Sequence, residues 1–265
     1  MTPLQPSDFA ATYGTDLKLT ERAFSALESR EAVVLAVSGK LGAGKDSVAP
    51  LVIADLEHAD AIHEFFAKPL KDEVDQAIEI VKSIATPEDA SEAIALQQGV
   101  SFEQASHVAN LLWSEVKAGV VTNSKMRTDN TRAVLQFWGT DVRRNQDDNY
   151  WVKLAIASTI EKLSAGESVF VTDARFPNEI DSLTALGAFT VRLKVSTEVQ
   201  AARIFARDGI VPKPEALAHI SETALDEYER LGRFTAVVDT DSLTRDEVVA
   251  EALAIIRATK VDYVL

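Results

Sequence analysis

The sequence predicts an α/β fold, a five-stranded parallel sheet flanked by helices, with a helical insertion on one side. Three observations predict it. Short apolar runs near residues 33, 62, 169, 191 and 236 are each followed by a stretch of helical spacing. The first run, Val33 to Val37, feeds a turn with glycines at 39, 42 and 44, then Lys45 and a helix-like segment from Asp46 to Leu56. A carboxylate, Asp173, ends the run Ser168 to Thr172, and the carboxyl ends of parallel strands are where such sheets bind ligands.

Strand, glycine turn, lysine and helix in that order form the phosphate-cradling P-loop, so a P-loop NTPase fold is expected. Glycines let successive backbone N–H groups point inward at a phosphate chain. The helix start adds a positive dipole end, and Lys45 reaches the β and γ phosphates as a point charge. Gly39, Gly42, Ala43, Gly44, Lys45, Asp46 and Ser47 are therefore the expected ATP-binding residues. The usual motif has Ser or Thr directly after the lysine to hold Mg²⁺, whereas here Asp46 stands there and Ser47 follows. One residue turns a helix by about 100°, so Ser47 faces elsewhere. Asp46 is expected to hold the Mg²⁺, directly or through water.

At 265 residues the chain is long enough for one such domain with an insertion. No apolar run approaches a membrane span, and the first residues show no basic region followed by an apolar stretch, so neither membrane nor secretion is expected. The absence of cysteine removes disulfides and thiolate metal sites and fits a reducing cytoplasm. A net charge of −14 argues against a polynucleotide-binding surface. Between Lys125 and Lys213, however, 13 Lys and Arg meet 11 Asp and Glu, against 14 and 30 elsewhere. That middle stretch is where an anionic small molecule would be held.

Residues 1–31 read as an N-terminal helical extension, with a packing helix from Leu17 to Leu27, and residues 32–265 as the P-loop domain. Asp60 to Leu70 reads as a short strand ending in a Lys-Pro turn, with Lys71 opening the next helix. Lys68 and Lys71 suit an acceptor's phosphate, or are simply solvated. The insertion covers about 85–130 and offers surface for a lid or a homodimer. Within it Ser101 and Gln104 mark a helix start.

Arg132 and Gln136 share a helix face, an Arg fork and an amide fit for a phosphate and a base edge. That helix is expected to end at Gly139, with Thr140 and Asp141 at the break. Trp151 would stack on a base, although core packing is the commoner fate of such a ring. Asp173, Arg175 and Glu179 cluster after the third strand, where a capping carboxylate and a surface Arg–Glu pair are the plain alternative. Arg203 and Arg207, one turn apart beside a Gly-Ile-Val-Pro-Lys-Pro loop, suit a lid over about 197–222 that closes on ATP phosphates.

Gly39-Lys-Leu-Gly-Ala-Gly-Lys-Asp-Ser, Phe66-Ala-Lys-Pro-Leu-Lys, Arg132 to Gln136 with Gly139-Thr-Asp, Trp151-Val-Lys, Asp173-Ala-Arg-Phe-Pro-Asn-Glu and His219-Ile-Ser-Glu occur in one order. Over roughly residues 32 to 258 this set resembles the deoxynucleoside monophosphate kinase family of tailed bacteriophages. The resemblance implies transfer of the ATP γ-phosphate to a dNMP for DNA precursor synthesis, in the host cytoplasm if the chain is phage-encoded. It implies ATP on Lys45 and the 39–47 backbone. Lys71, Arg132, Gln136, Gly139, Thr140 and Trp151 would then surround the monophosphate, with Asp173, Arg175 and Glu179 on the acceptor side. Gln200 to Asp208 also resembles dephospho-coenzyme A kinase, the second enzyme reading. A P-loop NTPase or nucleotide switch without an acceptor is the third.

Overall fold

The computed structural model describes residues 3–126, 128–209, 211 and 217–259. The chain divides into two compact units, residues 1–66 with 155–265, and Ala67–Leu154.

The first unit holds the sheet: β1 (Val34–Gly39), β2 (Ile62–Glu64), β3 (Val169–Val171), β4 (Phe189–Lys194) and β5 (Ala236–Asp239). Their order is β2-β3-β1-β4-β5 and every pairing is parallel, with Val34 beside Val169 and Leu35 beside Phe189. All five expected strands are present. Val34, Leu35, Ala36 and Val37 are all buried because helices cover both faces of a parallel sheet, so β1 reads as an unbroken apolar run. Helix α3 (Lys45–Asp55) packs Val48, Val52 and Ile53 into a core shared with Leu193, Val238 and Leu253.

Upstream, α2 (Leu17–Glu28) is capped by Asp16, which accepts the Leu19 N–H. A further helix, α1 (Pro6–Tyr13), precedes it. Its weak apolar stripe hid it, but Pro6 in the first turn and Gly14 just past the end, at φ 69°, are ordinary helix boundaries. Phe9 buries its ring against Phe24, and the Leu4 N–H donates to the Ala185 carbonyl, so this extension is tied to the unit.

The second unit contains α4 (Lys68–Ser83), α5 (Pro87–Gln98), α6 (Phe102–Lys117), α7 (Asp129–Gln136), a π-helical segment Phe137–Arg144 and the start of α8 (Tyr150–Ser164). Val74, Ile78, Ile94, Val108, Leu112, Val134 and Trp138 form its core. The Ser101–Gln104 capping box is present. Two local expectations are corrected. Lys68-Pro69 does not make a turn but forms the first turn of α4, where proline is tolerated. Gly139 does not end its helix, which widens into the π segment instead. Trp138 Nε1 and Arg143 Nε, five residues apart, both donate to Glu73 Oε2, at 2.6 and 2.9 Å, and an i→i+5 ladder brings such residues to one side. A Cβ at Gly139 would lie 3.1 Å from Leu70 Cδ2, so the Leu70 side chain would have to give by a few tenths of an ångström.

Candidate active site

The glycine turn of the first unit is built as an anion cradle. Gly42 and Gly44 have φ of 81° and 94°, the left-handed region that only glycine enters freely. Ala43 N–H donates to the Lys40 carbonyl, and the Ser47 and Val48 amides donate to the Gly44 carbonyl. Among the described residues, the amides of Gly42, Gly44, Lys45 and Asp46 find no acceptor. Four open N–H groups at a helix start invite an anion. A Cβ at Gly39 would lie 2.9 Å from Ala43 Cβ and 3.0 Å from the Leu193 carbonyl, so only glycine lets the turn close onto β4.

Lys45 is 8% exposed. Burial is the main cause that holds its pKa below the ordinary lysine value; Asp46 opposes this, Arg175 adds to it, and Glu222 and Asp173 oppose it more weakly. Lys45, Asp46, Asp173 and Arg175 therefore share one electrostatic neighbourhood. Ser47 Oγ donates to the Gly44 carbonyl at 2.8 Å, which turns this hydroxyl toward the loop.

Asp173 leaves the end of β3 and accepts the Phe66 N–H at 2.9 Å. Arg175 and Glu179 do not pair with each other. Glu179, 3% exposed, accepts the Arg175 and Phe176 amides at 2.6 and 3.1 Å and caps α9 (Pro177–Leu186). That carboxylate shapes the loop. Arg175 instead donates to Glu222 Oε1 at 2.6 Å, and Glu222 Oε2 accepts the Leu41 N–H of the glycine turn at 2.6 Å.

Spacing alone could not show these long-range partners. Glu222 lies on the short helix α11 (Ile220–Thr223), inside the His-Ile-Ser-Glu motif that marked the place without naming its partners. Arg192 on β4, a strand residue with no motif around it, reaches Ser38 Oγ, Asp226 and Glu229 at 3.0 to 3.1 Å, while Lys40 pairs with Asp226 at 2.9 Å. His63 stacks on Phe170 and shares a 2.9 Å hydrogen bond with Thr172 Oγ1. Burial holds its pKa below the usual histidine value, against the pull of Asp46 and Asp173.

Arg203 and Arg207 lie on α10 (Thr197–Asp208). Arg203 packs its Cβ near Gly42 but spends its guanidinium on Thr240, donating to Oγ1 at 2.9 Å and to the carbonyl at 2.5 Å. Arg207 pairs with Asp208 at 2.7 Å and feels the charge of Asp46. Of the adjoining loop, Ile210 and residues 212–214 lie outside the described residues.

In the second unit, Arg132 has a side chain 67% exposed, with Asp129 4.0 Å away. Gln136 and Thr140 are exposed and Lys71 is half-buried. Trp151 is not an open stacking face: it is 3% exposed and its Nε1 donates to the Gly139 carbonyl at 3.0 Å. Gly139 and Trp151 thus hold the π segment to α8 from within.

The donor set fits a magnesium nucleotide. Asp46 is an exposed hard oxygen ligand on the first turn of α3, beside Lys45 and the open amides. Among the described residues no three His, Asp or Glu side chains cluster as a metal site. Mg²⁺ keeps several waters and is held through one or two carboxylates and substrate phosphates. No helix among the described residues is long and apolar enough to cross a membrane.

An uncharacterized protein, ORF77, of Ictalurid herpesvirus 1 (strain Auburn) is 39% identical over 98 residues, 37% of each chain. The present chain thus spans little more than a third of that relative. The crystal structure of TT1252 from Thermus thermophilus has a TM-score of 0.47 at 19% identity over 86% of this chain and 97% of its own, too slight a likeness to bear on function. The family model of deoxynucleotide monophosphate kinase matches residues 89–214, less than half of the chain. From 89 to 214, a span that includes Arg132, Gly139, Trp151, Asp173, Arg175 and Arg203, the chain is a match to the deoxynucleotide monophosphate kinase family.

Proposed function

We propose that the protein transfers the γ-phosphate of ATP to a deoxynucleoside 5′-monophosphate, giving the diphosphate. The observation that carries this is the cradle: open amides of Gly42, Gly44, Lys45 and Asp46 around a buried lysine, in a chain that matches a dNMP kinase family. The acceptor oxygen is already an anionic phosphate oxygen, so the reaction asks for no strong general base. It asks for positioning and for cations that offset two mutually repelling phosphate groups.

In this reading Lys45 and the cradle amides bind the triphosphate, and Arg175 adds a second cation to the Lys45 neighbourhood. Asp46 would hold Mg²⁺, which when bound offsets charge on the phosphate oxygens. Asp173 keeps the chain at Phe66 in place and sets the negative side of the site. Arg132, Gln136, Lys71 and Thr140 are proposed for the monophosphate: Arg132 offers a planar fork matched to a phosphate, and the Gln136 amide suits a base edge. Gly139 and Trp151 support that surface from inside. Arg207 is the better candidate than Arg203 for ATP phosphates, since it is exposed and already feels Asp46.

A coupled assay for ADP tests this, with each of the four dNMPs, with dephospho-coenzyme A, and with no acceptor. Turnover that depends on a dNMP is expected. ADP release at the same rate without acceptor would replace the kinase with a hydrolase or switch, and dephospho-coenzyme A as sole acceptor would favour that kinase instead.

A further inference from the structure

The carboxylate of Glu222 joins two parts of the cradle that no local sequence rule connects. One oxygen accepts the Leu41 N–H of the glycine turn, the other accepts Arg175 Nη1, each at 2.6 Å. Glu222 is 9% exposed and the Arg175 side chain is 36% exposed, so the carboxylate end of both bonds is the buried one. Charge-assisted bonds of this kind fix geometry as well as energy. Arg175 gives Glu222 one arm of its fork, and the rest of the guanidinium has no partner among the described residues.

We infer that Glu222 is a positioning residue for phosphoryl transfer: it locks the Arg175 guanidinium beside Lys45 and anchors the glycine turn before nucleotide arrives. The contact has a competing meaning, in which Glu222 stands in for a phosphate that ATP must displace. The hydrogen bonds favour positioning. A stand-in anion would sit on the open amides of Gly42, Gly44, Lys45 and Asp46, whereas Glu222 takes the Leu41 amide and leaves those four open. Preorganised charge of this sort acts on the transition state, so its loss lowers kcat more than it weakens ground-state binding.

This inference rests on the kinase reading, and the test separates the two. Glu222→Gln keeps the shape and removes the charge. The expected result is a kcat lower by about 10- to 100-fold, the scale of one charged hydrogen bond, with the ATP KM little changed. In an Arg175→Ala background the same substitution is expected to add less than it costs in the wild type, because only the Leu41 anchor is then left to lose. Unchanged kcat, a lower ATP KM, or losses that multiply in the double variant would each overturn the assignment, a lower KM pointing to the stand-in anion. Hydrogen exchange gives an arm independent of the acceptor: the Leu41 amide is expected to exchange faster in Glu222→Gln, and equal protection would also overturn it. A wild-type protein without dNMP-dependent turnover sinks the kinase reading alone. Should Glu222→Gln not fold, Glu222→Asp, still charged but one methylene short, carries the same kcat-against-KM and exchange measurements.

Discussion

Around the glycine turn, charged side chains gather near main-chain amides that remain open: Lys45, Asp46, Asp173 and Arg175 surround a cradle with unfilled donors. In the unit Ala67–Leu154 the buried charges close on one another. Glu73 alone takes Trp138, Arg143 and Tyr150, and Arg143 lies over both aromatic rings. Among the described residues of that unit, Arg132 is exposed, with only Asp129 4.0 Å away. The contrast separates two ways of using charge. One arrangement is left incomplete so that a ligand can complete it. The other is complete already and serves the fold, while its ligand-facing groups are long side chains on a helix surface.

The strongest test of that contrast is Lys45→Ala. If the cradle is the incomplete arrangement, the substitution removes a cation placed for the triphosphate and lowers turnover by about a thousandfold or more, as for loss of a preorganised charge-stabilising donor. It also relieves a buried charge, so the melting temperature should hold or rise. A variant with wild-type turnover in the coupled assay would end the P-loop role.

Glu73→Ala probes the closed arrangement and should show the opposite pattern. It strands Arg143, whose side chain is 7% exposed, together with the Trp138 N–H. Breaking a buried pair from one side costs about 3–5 kcal/mol. Denaturant melts should show that loss. A loss of turnover with unchanged stability would mean that Glu73 belongs to the chemistry rather than to the fold.

Arg132→Ala is expected to leave stability alone and raise the dNMP KM about tenfold or more, on the scale of a charged hydrogen bond, with little effect on the ATP KM. Equal effects on both substrates would remove Arg132 from the acceptor.

These expectations also show which parts of the molecule could be read from the chain. The five strands, the cradle and Asp173 were legible because each depends on local rules: an apolar run, φ-permissive glycines, a position at a strand end. The cap at Ser101 was legible for the same reason. Gly139 misled because glycine after an apolar stretch usually ends a helix, whereas here Glu73, 65 positions before Trp138 and 70 before Arg143, takes both donors, and the helix goes on in a wider form. A surface Arg175–Glu179 pair was the plain alternative from spacing, yet the donors that Glu179 takes are main-chain amides. Glu222 and Arg192 were silent because their partners lie far along the chain, and spacing carries no record of such contacts.

The smallest effect concerns Tyr150, whose hydroxyl donates to Glu73 Oε1 at 2.6 Å. Burial, and then the hydrogen bond and charge of Glu73, push its pKa up to about 12 from 10.0. The fold therefore favours the neutral phenol. Below pH 10 both folded and unfolded chains keep the proton, and the stabilisation is fully present. Between 10 and about 12 the unfolded chain gives up its proton while the folded one keeps it, so stability falls as pH rises and the contribution is gone once the folded phenol ionises. Tyr150 is only partly buried, so solvent screening discounts the contribution to about 1 kcal/mol. Tyr150→Phe should accordingly lose about that much near neutral pH and lose less than the wild type on going from pH 9.5 to 11.5, measured by urea melts. Parallel pH profiles for the two proteins would show that Glu73 is held by Arg143 and Trp138 alone, and the closed arrangement would then have two members on the carboxylate instead of three.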